Sequence, residues 1–178
     1  MFRALLVLIV ILIAGCTAQK PLEVDDMTLS IKSPVFVNNG KIPLKYTCDG
    51  DNISPPLEIK GVPENAKSLA LIMEDPDVPK RIRADGIWDH WVAWNIPPET
   101  TSIKEGSNPE GVIGKNTGGS IGYTGPCPPD RQHRYFFKLY ALDTTLNLPE
   151  GSKKSDVEAL TKGHVIEKAE LVGLYERN

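Results

Sequence analysis

Two acids, two histidines and two cysteines of this chain stand at the joins between apolar runs and turn-rich loops, where polar groups can be held beside a cleft. In MEDPDVP, Asp75 and Asp77 close the apolar run SLALIME and point to different sides of it. His90 opens the run HWVAWNI between Trp88 and Trp91, and His133 opens RYFF directly after the stiff loop GYTGPCPPDRQ. Each has a plain structural role when taken singly. An Asp-Pro turn stops a strand, and a histidine between two tryptophans packs with its hydrogen bonds met. That an Asp and two of the three His occupy such joins together points to one shared site. Two His and a carboxylate could serve as a facial metal triad, or His133 as a general base for a nucleophile. Against such an enzyme, the chain has no H-E-x-x-H, no G-x-S-x-G and no P-loop.

The elements that must position these residues are short. Fifteen Pro and fifteen Gly divide the chain into brief runs, which favours strands and loops over long helices. Strands are predicted over Thr28 to Lys32, Lys67 to Glu74, His90 to Ile96, Arg134 to Asp143 and Val165 to Glu176. The central runs are apolar on both faces, so they belong inside a sheet covered on both sides. One or two short accessory helices are predicted, of which one is placed after Ser155, whose hydroxyl and Glu158 form an S-x-x-E capping box, with Lys162 and Gly163 at its end.

Composition narrows the functional class. A net charge of -3, with no Lys/Arg cluster on one face, argues against nucleic-acid binding. Residues 1–16 read MFRALLVLIVILIAGC: one Arg, eleven apolar residues from Ala4 to Ala14, then a sequence similar to the lipobox of prokaryotic lipoproteins. The run fits a signal-peptide core and falls short of the ~20 residues that span a bilayer. Cys16 is then the lipidated residue that fixes the chain to the outer side of the membrane, with an uncleaved signal anchor or secretion as the alternatives. Residues 17–26 are a polar tether, and residues 27–178 make one domain. With Cys16 so used, Cys48 and Cys127 remain; outside the cytoplasm they can bridge, or stand as two separate thiols. Neither CxxC nor Cys/His zinc spacing occurs.

Taken in order, DPDVP, the His of WDHWV, GYTGPCPP and HRYFFKLYALD resemble the phosphatidylethanolamine-binding protein family, which includes the Raf kinase inhibitor protein, and above all its prokaryotic branch. The similarity runs from about Thr28 to Tyr175. It implies an all-β-dominated fold of two antiparallel sheets with Greek-key connections and a small pocket at one end. It implies a pocket of Asp75, His90, Cys127, His133 and Tyr135, with Asp77, Trp88, Tyr123 and Pro129 nearby. Cys127 departs from the eukaryotic pattern, which resembles Gly-Pro-Pro there. The resemblance implies a binding protein without a cofactor, whose partners include serine proteases and kinases. In such a pocket the imidazoles and the tyrosine hydroxyl donate, and phosphate oxygens only accept, which suits a small phosphorylated or otherwise anionic group. A bound dianion would raise the imidazole pKa values. Asp75 would orient one His or accept from a ligand ammonium.

Overall fold

The structure is a computed structural model and describes residues 28–177. The expected signal segment, Cys16 and tether lie outside the described residues. Nine strands, one 3₁₀ turn and one α-helix are found among the described residues. The strands are β1 (Ser30–Lys32), β2 (Gly40–Lys41), β3 (Leu57–Lys60), β4 (Ser68–Asp75), β5 (Trp88–Ile96), β6 (Ser102–Ile103), β7 (Val112–Ile113), β8 (His133–Leu142) and β9 (Val165–Tyr175). The five runs predicted from sequence are β1, β4, β5, β8 and β9, within two residues at each end. The other four strands, β2, β3, β6 and β7, are two to four residues long and carry no run long enough to be read.

β1, β3 and β6 form a small antiparallel sheet; the large sheet has the order β2-β9-β8-β4-β5-β7. β8 lies beside β4 rather than beside β7, so a long crossover brings the chain back across the sheet, as Greek-key topologies require. One pairing departs from the antiparallel expectation: the two-residue β2 runs parallel to β9 at the sheet edge.

Burial explains why β4 reads apolar throughout. All eight of its residues are buried, because the large sheet is covered on both faces. On one face Leu69, Leu71, Met73, Trp91, Ala93, Tyr135, Phe137 and Leu139 pack with Leu29, Ile31, Leu57, Ile59 and Ile103 of the small sheet. On the other, Ala70, Ile72, Val92 and Trp94 pack with Leu142, Leu146 and Val157. Val157 belongs to α1 (Lys154–Thr161). This helix begins one residue before the expected capping serine. Lys153 is its N-cap, and the Lys153 backbone N–H donates to the Asp156 carboxylate, so Asp156 and not Glu158 closes the first turn.

Two irregularities in the β4–β5 pairing matter for the site. Leu69 pairs with Ile96 and Leu71 with Ala93, leaving one extra residue on β5. Within that interval Asn95 has φ 54, and its side chain holds the chain at Leu146 through two hydrogen bonds of 2.8 and 2.9 Å. Further along, Met73 pairs with Trp91 but Glu74 with Asp89, so His90 is a second extra residue. Such a bulge re-aims the side chains that follow it. Here it shifts the alternation of β5 by one.

Candidate functional site

The bulge places Trp88 and His90 on the same side as Asp75, and Asp89 on the side of Glu74. A pocket of about 310 Å³ opens on the first side, lined by Asp75, Val78, Ile82, Trp88, His90, Thr124, Gly125, Cys127 and Pro129. Asp75 comes from the end of β4, Trp88 and His90 from the start of β5, and the rest from the loops before β5 and β8. No lysine or arginine is among the lining residues, and the walls are mostly apolar.

His90 is held rigidly. Its Nδ1–H donates to the Thr124 carbonyl at 2.7 Å, and its ring meets the Tyr135 ring edge-on at 5.3 Å between centroids. Because a carbonyl only accepts, the proton sits on Nδ1 and Nε2 is left with a free lone pair. Nε2 has no hydrogen-bond partner among the described residues. Burial pushes the His90 pKa down to about 4, against the Thr124 contact and the Asp75 charge, which pull the other way. The histidine is therefore neutral at neutral pH.

His133 lies behind the wall rather than in it. It is fully buried; Nδ1 is 2.7 Å from Asp75 Oδ2, and Nε2 is 2.9 Å from Asp130 Oδ1. Both ring nitrogens are thus engaged by carboxylate oxygens. Neither nitrogen is left for a ligand or a metal. The sequence expectation that both imidazoles face a ligand is corrected: both ring nitrogens of His133 are spent on carboxylates, and it acts by fixing Asp75. The Asp75/His90/His133 triad is likewise not a facial set. No group of three or more His, Cys, Asp or Glu able to hold a metal occurs among the described residues.

The other expected residues divide in the same way. Asp75, Trp88, Cys127 and Pro129 line the pocket beside His90. Tyr135 does not; it is fully buried under the His90 ring. Burial and then the Asp75 carboxylate raise its phenol pKa, although its hydroxyl makes no hydrogen bond of regular geometry among the described residues. Asp77 turns away to a two-pronged ion pair with Arg134, at 2.7 and 2.8 Å, which holds its pKa below the usual range. Tyr123 donates its hydroxyl to the Tyr46 carbonyl at 2.6 Å and stacks edge-on against Trp91.

Cys48 and Cys127 are joined in a disulfide with Cα atoms 5.4 Å apart. The Cys48 N–H donates to Pro126 O, and Gly125 N–H to the Asn52 side chain. These contacts sew the wall of the pocket to the loop at Thr47–Asn52. Gly125 has no room for a side chain, since a Cβ would come within 2.6 Å of Tyr46 O. Sequence reasoning missed Val78, Ile82, Thr124, Gly125 and Asp130. Val78, Thr124 and Gly125 lie within the motifs DPDVP and GYTGPCPP, whose flanking residues were singled out. Ile82 and Asp130 carry no such signal.

A family model for the phosphatidylethanolamine-binding protein matches residues 32–176 of the chain. A UPF0098 protein of Methanothermobacter thermautotrophicus is 51% identical over 155 residues, covering 84% of this chain and 99% of the relative. Among solved structures, a phosphatidylethanolamine-binding protein homologue from Chlamydia trachomatis is 47% identical with a TM-score of 0.83, covering 85% of this chain and 99% of that one. Escherichia coli YbcL, described as a member of the mammalian family, is 31% identical with a TM-score of 0.77, covering 84% and 99%.

Proposed function

The chain belongs to the phosphatidylethanolamine-binding protein family, and from that premise we propose that it is a binding protein for small phosphorylated or otherwise anionic groups rather than an enzyme. The observation that carries this reading is His90, locked through Nδ1 by Thr124 and offering Nε2 to a 310 Å³ pocket beside Asp75. A volume of that order suits a small ligand or head group.

The absence of Lys and Arg from the lining sharpens the ligand's chemistry. A dianion here must bring its own compensation, since the nearest fixed charge is the Asp75 carboxylate. One route is a proton between the ligand and His90 Nε2, so that a phosphate monoanion donates to the neutral ring. The other is an ammonium on the ligand, which Asp75 accepts. A phosphoethanolamine-like zwitterion satisfies both groups; inorganic phosphate uses only the first.

Calorimetric titration of phosphoethanolamine and inorganic phosphate across pH 4 to 8 tests this. His90 takes its proton only near pH 4, and a bound anion raises that pKa. Where His90 takes the proton, binding is accompanied by proton uptake between pH 4 and the raised value, and affinity for phosphate rises as pH falls across that window. Phosphoethanolamine is expected to bind more tightly near neutrality, and His90→Ala to remove the pH dependence. Failure of both probes to bind at any pH would sink the proposal. The same proposal places the domain outside the cytoplasm, tied to the membrane by Cys16, with a serine protease or a kinase as the protein that reads the pocket.

A further inference from the structure

The opposite side of β5 holds a second and larger cleft, of about 530 Å³. Its lining residues Lys154 and Asp89 belong to a balanced group of charges completed by Glu74 and Lys138. Lys154 Nζ lies 2.8 Å from both Glu74 Oε2 and Asp89 Oδ1, and Lys138 Nζ meets Glu74 Oε1. Two cations thus face two carboxylates and cancel. On the rim, Arg83 holds Asp85 in a two-pronged pair at 2.8 and 2.9 Å, which cancels again. Two lining cations are left over. Lys115 and Lys153 are exposed, and their ammonium groups have no hydrogen-bond or ion-pair partner among the described residues. The cleft therefore carries a net charge of about +2 from groups free to turn toward a ligand, and anions gain from such a concave field. Hydroxyl donors complete it. Thr117 Oγ1 accepts from the Asp89 N–H at 2.9 Å, so its own proton is free to donate.

We propose that this cleft is a second ligand site, which takes a dianionic phosphate monoester of about sugar size between Lys115 and Lys153. The volume lies within the range of small-molecule sites, and the two free ammonium groups match the charge of such a monoester near neutral pH. The first pocket, with no lining cation, differs in just this respect. The two sites share structural members. Asn116 lines the cleft and donates to Thr124 Oγ1 at 2.7 Å, and Thr124 holds His90.

Ribose 5-phosphate, with ribose as its control, is the probe for amide chemical-shift mapping on the protein. Shifts are expected at residues 115–119 and 153–156 with ribose 5-phosphate and not with ribose. They should persist in His90→Ala. In Lys115→Ala/Lys153→Ala, affinity should fall by about tenfold or more, because two charge-assisted contacts are gone. Both lysines are exposed, so this variant is expected to fold, which its unperturbed spectrum elsewhere would show. Shifts confined to the His90 pocket, an undiminished affinity in the double variant, or equal binding of ribose would each overturn the site. Much tighter binding of a phosphoserine peptide than of ribose 5-phosphate would also overturn it, since a protein would then be the occupant. The His90 pocket is lined by different residues, so loss of this second site would leave the reading of that pocket to its own titration.

Discussion

Burial, more than charge, sets the behaviour of His90. Its pKa falls from the ordinary 6.5 to about 4 because the folded site disfavours the imidazolium. Between those values the unfolded chain binds the proton and the native chain does not, so native stability falls as pH drops from 6.5 to 4. The full effect is roughly 3 kcal/mol. Chemical denaturation at steps from pH 7 to 4 should show this loss, and His90→Gln should flatten it. Equal slopes in the two proteins over that window would contradict the assigned burial. At this scale the sequence revealed residue types but not their partners. His90 is legible as a site residue because tryptophans flank it. His133 looked equivalent, yet one of its partners lies 58 residues away and the other in a loop turn, at Asp75 and Asp130. Nothing in a linear reading separates a ring that faces a ligand from one enclosed by carboxylates.

Among the elements, the wall formed by residues 122–129 depends on its attachment to the loop at Cys48. The disulfide closes a separation of 79 residues. In the chain-entropy account such a loop stabilises the fold by ~4 to 5 kcal/mol. Cys48→Ser/Cys127→Ser should lower the urea midpoint accordingly and weaken phosphoethanolamine binding, because Cys127 itself lines the pocket. A stability loss under about 1 kcal/mol, with binding intact, would show that the remaining contacts suffice to hold the wall. The long strands were legible here because hydrophobic runs of seven or more residues outweigh local ambiguity. The short ones were not. Gly40–Lys41, Ser102–Ile103 and Val112–Ile113 are strands only because a partner strand lies alongside, a tertiary fact with no local signature. The helix start was misread for a related reason: Ser155 and Asp156 are both good capping groups, and only the chain path to Lys153 chooses between them.

For the molecule as a whole, a large sheet covered on one side by a small sheet and on the other by α1 gives two distinct environments back to back. We propose separately that residues 1–16 anchor this body to a membrane. If Cys16 is lipidated, a chain expressed in a bacterium with a lipoprotein pathway should incorporate labelled palmitate and sediment with membranes, and Cys16→Ser should do neither. Label retained in Cys16→Ser would reject that assignment. The bulge at His90 also bears on how the protein can change over generations. Residues 88 to 90 alternate between the two environments, so single substitutions can alter one side and leave the other untouched. A one-codon deletion in the same stretch would instead turn Trp88 and Asp89 over together, damaging both sides in a single step. Lineages of this fold are therefore expected to keep the length of this segment fixed even where its residue types change.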